Sequence, residues 1–367
     1  MAVSLRIVLD QLTEVVDADL AEAEREIARA LVDSAPKGCD VTAIVPAGDE
    51  DEAAAVPGLA GSTRAPLGRA RLLASWQMGI APGIGGGLIH APSLVAPLVR
   101  HDRVNENDQT VVSLWDLCAW EKPDGMSRLA VAGQRALLKR AEKHADAVVV
   151  PSHAMADRLG ETTRLGGRLR VIPGAAPTGF AAPTDAVGRR RALGVPEGVV
   201  ALAGAFCDDD ALAAGLSAVA SLADAPEVVV LDISDARAPR VRELATAAGI
   251  ADSALHVQGH VEAPDRAAVL AGAVVLLAPS TLSAFPWRVV EALALGLPVV
   301  ASASDVHREV LVDGGLFVPS GELGDALRLV AESEDARKRF AVRALDRGKA
   351  FSWRDHAERV WALHAEL

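Results

Sequence analysis

The stretch LLAPSTLSAFPWRVVEALALGLPVVASASDVHREV, residues 276–310, decides the fold class. It opens as an apolar strand, breaks into a short polar loop, and enters a helix through Pro286, a residue that suits a first helical position because it has no N–H to leave unpaired. The helix carries Glu291 and stops at Gly296, and a second apolar strand, Pro298–Ala301, follows at once. Apolar strand, loop, amphipathic helix, apolar strand is the βαβ unit of a parallel sheet. The unit aims unpaired amides and the positive end of a helix dipole beyond the carboxyl end of its first strand, a place suited to an anion.

Outward from this unit the same alternation continues. Strands are read near 199–203, 228–231, 255–257, 274–278 and 315–318, and the closing helices run from about Leu323 to Leu367. The first half repeats the pattern, with strands at Leu5–Asp10, Val41–Val45, Leu88–His90, Thr110–Leu114, Ala147–Val150 and Leu169–Ile172. A helix from Asp17 to Leu31 places Leu20, Ala23, Ile27 and Leu31 on one stripe. Others are expected over Arg69–Met78 and Arg128–His144, and a third capped by Ser152. Glu50–Ala55 reads as an exposed excursion, Gly79–Gly87 as a loop, and Pro173–Gly188 as the best linker. The predicted organisation is an α/β domain over 1–175, a second over 176–350, and a final helix over 351–367. Ligands of doubly wound folds bind outside the carboxyl ends of the strands.

The totals remove several classes. A chain of 367 residues suits two cores better than one. The net charge of −12 leaves no basic surplus to neutralise phosphates, so nucleic acid is not an expected partner. No run of 18 apolar residues exists, and the start, MAVSLRIVLD, lacks a basic-then-apolar signal. Cys39, Cys118 and Cys207 lie far apart without zinc spacing and read as free thiols in a reducing compartment. The expected location is cytoplasmic.

Several segments, in order, resemble the retaining glycosyltransferases of family 4: GHVEAPDRAAVLAGAVVLLAPS (259–280), EALALGLPVVAS (291–302) and HREVLVDGGLFVP (307–319). In the first half VVSLWD (111–116), KRAEKHADAVVVPSHAMADRL (139–159) and RVIPG (170–174) are similar as well, as is FSWRDHAERVWALH (351–364) at the end. The resemblance implies the GT-B fold, two Rossmann-like doubly wound parallel-sheet domains facing a central cleft, with the closing helix crossing back to the first domain. It implies transfer of a sugar from a nucleotide-sugar donor, with retention, to a glycan, lipid or small-molecule acceptor, with no metal or other cofactor. The donor would be held by Glu291, Arg288, the helix-start residues Trp287 and Val289, and Gly204. Asp116 and Ser283 would face the reacting sugar.

The match departs from the family at charged positions. Glu291 fills the second of two glutamates separated by seven residues and would accept bonds from ribose hydroxyls. The first position holds Ser283, which offers a hydroxyl and no charge. Where the family places an arginine and a lysine after the strand VVALAGA (199–205), this chain has Ala205 and Asp210. Exchanging a cation for a carboxylate beside a diphosphate reverses a term on the order of 1–4 kcal/mol per close pair. Arg288 is the candidate replacement, with an ordinary surface arginine as the competing reading. Asp208–Asp210 reads first as a helix cap with dipole partners, and a divalent ion is the lesser reading. Trp115 stands where the family often has a histidine and reads as core packing ahead of stacking on a sugar. Asp116 divides evenly between facing the sugar and capping a turn. Gly85–Gly87 is weak evidence for phosphate binding. His90, His153 and His307 read as structural, and Ser152 as a cap.

Two functional expectations follow. One is a family-4-type glycosyltransferase with an altered donor site. The alternative is an impaired or inactive homologue acting as a partner subunit or weak sugar-nucleotide binder, which the joint loss of the glutamate, the basic clamp and the histidine favours. Peripheral membrane contact or a protein partner is compatible with either.

Overall fold

A computed structural model describes residues 3–12, 14–48, 56–102, 107–204, 207–222 and 226–367. The excursion expected over Glu50–Ala55 and the motif position Ala205 lie outside the described residues. The chain divides into two compact units: Met1–Trp120, Ser127–Gly174 and Ser352–Leu367 form unit 1, and Glu121–Met126 with Ala175–Phe351 form unit 2.

Unit 1 holds strands β1 (Val3–Val8), β2 (Cys39–Val45), β3 (Gly61–Arg64), β4 (Leu88–Ala91), β5 (Gln109–Ser113), β6 (Ala147–Val150) and β7 (Leu169–Val171). Between them run helices α1 (Ala18–Asp33), α2 (Arg69–Gln77), α3 (Cys118–Glu121, whose last residue is the first of unit 2), α4 (Arg128–His144) and α5 (His153–Thr162). The strands form one sheet in the order β3-β2-β1-β4-β5-β6-β7, every pair parallel. Asp17 caps α1 by accepting the Leu20 N–H at 3.0 Å, and Ser127 and Ser152 do the same for α4 and α5. β3 escapes sequence reading because GSTR has no apolar residue. It is an edge strand with three of four residues exposed, so nothing selects for hydrophobic side chains there.

Unit 2 holds β8 (Val200–Leu202), β9 (Val228–Val230), β10 (Leu255–Val257), β11 (Val275–Ala278), β12 (Val299–Ser302) and β13 (Leu316–Val318). Its helices are α6 (Ala186–Leu193), α7 (Asp209–Ala220), α8 (Ala238–Ala248), α9 (Ala263–Ala271), α10 (Trp287–Leu295), α11 (Asp305–Leu311), α12 (Leu323–Ala331) and α13 (Glu334–Gly348). The last helix, α14 (Trp353–Glu366), belongs to unit 1, where the Trp361 indole N–H donates to the Leu31 carbonyl at 3.2 Å. The unit 2 strands are all parallel in the order β10-β9-β8-β11-β12-β13. Every residue of β8, β9 and β12 is buried, because helices cover the sheet, so these strands read as continuous apolar runs and not as alternating ones. Each Val or Leu so buried contributes about 1.5–3 kcal/mol.

The opening βαβ unit is β11–α10–β12, in register with Leu276 opposite Val299. The helix starts one residue later than its sequence suggests: Pro286 occupies the cap position and Trp287 is the first helical residue. Gly296 ends it at φ +68°, a left-handed conformation that a side chain would strain.

Candidate functional site

In unit 2 the strand order reverses between β8 and β11, neighbours in space whose connections leave toward α7 on one side and α10 on the other. A crevice at such a reversal is where a doubly wound sheet receives its ligand. Most of the residues singled out from sequence fall on these two connections.

Gly204, just after β8, has a packing reason to be glycine. A Cβ there would stand 2.1 Å from the Leu231 carbonyl oxygen and 3.1 Å from the Ile233 side chain. Val289 is 1% exposed and packs in the core, and Trp287 meets Phe285 edge to face at 4.6 Å between ring centroids.

Glu291 and Arg288 are brought together, but inside a buried ionic network. Glu291 is 2% exposed, and Arg266, fully buried, donates its Nε to both carboxylate oxygens at 2.9 and 3.0 Å and an Nη2 to one at 2.6 Å. Arg288 donates Nη1 to the other oxygen at 2.6 Å and Nε to Asp232 at 2.8 Å. Arg266 also reaches the Val261 carbonyl. The ribose role expected for Glu291 therefore requires it to give up one of these bonds. Arg288, expected as the replacement phosphate cation, is 4% exposed with its charge balanced by two carboxylates. Asp232 holds φ +62°, which an aspartate tolerates better than most residues, and this turns its carboxylate onto Arg288.

Ser283 is occupied by a partner that sequence reasoning missed. Its N–H donates to Glu121 Oε2 and its hydroxyl to Glu121 Oε1, each at 2.8 Å. The adjacent Lys122 bonds Asp210 at 2.9 Å and Asp208 at 3.2 Å, and these two carboxylates push its ammonium pKa up. The acidic run 208–210 thus has assigned partners: Asp208 caps α7 through the Ala211 N–H, and Asp209 pairs with Arg237 and Arg240. Among the described residues no group of three or more His, Cys, Asp or Glu side chains is placed to hold a metal ion. The signal for Glu121 and Lys122 was faint. EKPDG reads as a turn, and 162 residues separate Glu121 from Ser283.

In unit 1 Asp116 is half-buried and accepts the Cys118 N–H at 2.9 Å, the geometry of a turn cap, beside Asp17. Trp115 packs: its indole N–H donates to the Pro92 carbonyl at 2.7 Å and its ring stacks on His356 at 6.2 Å. At the carboxyl end of β1, Asp10 is fully buried and pairs with Arg69 at 2.9 Å. Near it Glu24 is held well above the carboxylate range, by burial first and then by Asp10. A surface cavity of about 600 Å³ opens at the opposite, amino end of β11 and β12, lined by Ala271, Val274, Gly296 and Leu297 among others. Its lining is mostly apolar, with Arg337 and Lys338 as its charged members.

Residues 197–333 match the sequence family described as glycosyl transferases group 1. A phosphatidyl-myo-inositol mannosyltransferase from Mycobacterium leprae is 33% identical over 112 residues, which is 29% of this chain and 30% of that protein. The chain therefore matches under a third of that relative's length. Among solved structures, sucrose-phosphate synthase from Thermosynechococcus elongatus superposes with a TM-score of 0.73 at 18% identity, covering 99% of this chain and 98% of the other. Anabaena HepE in complex with UDP-glucose gives 0.71 at 16% identity over 99% and 100% of the two chains. At these identities the structures establish the fold: two Rossmann-like parallel-sheet units of the GT-B class.

Proposed function

We propose that the protein is a glycosyltransferase that takes a sugar from a nucleotide-sugar donor seated at the carboxyl end of the unit 2 sheet. The observation that carries this reading is positional. The stretch matching the group 1 glycosyl transferases, 197–333, supplies both connections at the β8/β11 reversal and the start of α10. A diphosphate placed there meets the first turn of α10, at Arg288 and Val289, and the positive end of that helix, while the Trp287 N–H is bonded to the Phe285 carbonyl. Lys122 brings a cation to a connection otherwise lined by aspartates. Helix dipole and ammonium together stabilise a leaving nucleoside diphosphate without a metal in this reading. Retention of configuration, and a glycan, lipid or small-molecule acceptor, belong to the same proposal. UDP-glucose is the ligand of one structural neighbour and makes uridine donors the first to test.

One observation favours a second reading, a sugar-nucleotide binder without transfer. The carboxylate and guanidinium best placed by sequence, Glu291 and Arg288, are already bonded to buried partners. Melting the protein against UDP, GDP and their sugar conjugates tests both. A ligand at a hundred times its Kd adds about 2.7 kcal/mol of stability, so one nucleotide series is expected to raise Tm, and no rise with any of them would contradict the proposal. Release of nucleoside diphosphate from the bound donor then separates transferase from binder.

A further inference from the structure

Residues 121–126 form a short strap across the two connections at the unit 2 reversal. At one end Glu121 fastens to the loop after β11, its two carboxylate oxygens accepting the Ser283 N–H and hydroxyl at 2.8 Å each. At the other, Lys122 bonds Asp208 and Asp210 at the start of α7. A 3-10 turn, Pro123–Gly125, then brings Gly125 against Cys207. A Cβ on Gly125 would stand 2.2 Å from the Cys207 carbonyl oxygen, so only a glycine approaches this closely. A backbone N–H and a hydroxyl converging on two oxygens is the donor set that holds a phosphate oxyanion. Here the group in it is a carboxylate of the chain itself.

We propose that the Ser283 amide and hydroxyl form an oxyanion site for a diphosphate, and that Glu121 is its resident occupant, displaced when the ligand enters. This rests on the nucleotide-sugar reading of unit 2. Occupancy by Glu121 lowers apparent affinity by the fraction of molecules in which the site is open. Displacement frees the strap to turn, and Lys122 can exchange its aspartates for phosphate oxygens. The strap thereby makes the site selective for ligands that bring two negative charges, because a single weak anion does not outcompete an intramolecular carboxylate.

The test compares the full-length protein with Glu121→Ala and Glu121→Gln in two measurements. The first is hydrogen exchange at the Ser283 amide without ligand, which is expected to be slow in the parent protein and faster in both variants. Equal exchange in all three overturns the proposal whatever binds. The second is titration with pyrophosphate, UDP and GDP. Loss of a charged hydrogen-bonded competitor is expected to tighten diphosphate binding about tenfold or more in Glu121→Ala, with Glu121→Gln between it and the parent. Binding that is equal or weaker in Glu121→Ala overturns the strap and leaves the nucleotide-sugar reading standing. Binding of UDP or GDP by none of the three overturns that reading, and the displacement proposal with it. A gain for pyrophosphate equal to that for UDP assigns the site to the phosphates; a gain for UDP alone places the competition at the nucleoside and overturns the oxyanion assignment.

Discussion

Removing the Glu291 carboxylate would take from the buried guanidinium groups of Arg266 and Arg288 the carboxylate they share. Breaking a buried ion pair from one side costs about 3–5 kcal/mol, because the partner's desolvation is no longer offset. Glu291→Ala is therefore expected to lower unit 2 stability by about that amount, read by denaturant unfolding. The double change Arg266→Met with Glu291→Leu should cost less than Glu291→Ala alone. An unchanged midpoint in Glu291→Ala would contradict the network. The sequence singled out the Glu291 carboxylate on α10. What it hid is the partner: Arg266 stands 25 residues upstream on α9 and Asp232 stands 56 residues from Arg288. Pairings across such distances are made by the sheet, and no local pattern announces them. The same holds for Glu121 on Ser283, where a turn-forming pentapeptide gave no sign that its first residue would be a ligand.

At the scale of elements, burial decided what could be read. Strands with both faces covered, such as β6 and β11, are runs of Val, Leu and Ala that admit one interpretation, whereas the exposed edge strand β3 carries no such signature. The cap at Ser152 was legible because it is a local signal, and the structure shows its bond; Asp17, read as the first helical residue, is likewise a cap. The seat of α14 was not legible in full, since its histidines look ordinary in sequence. His356 and His364 on α14 face His90 of β4, with rings of His90 and His364 5.8 Å apart. Burial pushes His356 and His364 each down to about 4. His90 is held well below 6.5, by burial first and then by the other two imidazoles. The Pro173 carbonyl and Asp355 oppose the shift of His356, Arg359 adds to it, and Asp146 opposes that of His364. All three rings are neutral in the folded protein at pH 7, and the unfolded chain protonates them first as pH falls. Their contribution is fully present above about pH 6.5 and is lost between there and about 4. The loss is on the order of 3 kcal/mol for each of His356 and His364. Tm of the parent should fall across this window, and a His356→Gln, His364→Gln variant should show a flatter profile. An identical slope in the two would remove the histidines from the account.

For the whole chain, the order 3-2-1-4-5-6 recurs in both sheets, with a seventh strand in unit 1, and each reversal point gathers charged side chains: Asp10, Arg69 and Glu24 in unit 1, and Glu121, Lys122 and the aspartates of α7 in unit 2. Among the described residues no helix is long and apolar enough to cross a membrane. The fold was readable because βαβ periodicity repeats many times, so single ambiguities average out. Side-chain partners were not readable in the same way, because several distant segments contribute them. The central claim is that a nucleotide-sugar sits at the β8/β11 reversal of unit 2. Hydrogen exchange over the whole chain, with and without saturating UDP-sugar or GDP-sugar, tests it most directly. The account predicts protection concentrated in peptides spanning 199–212 and 279–291. Protection confined to unit 1 peptides, or none with any donor, would contradict it.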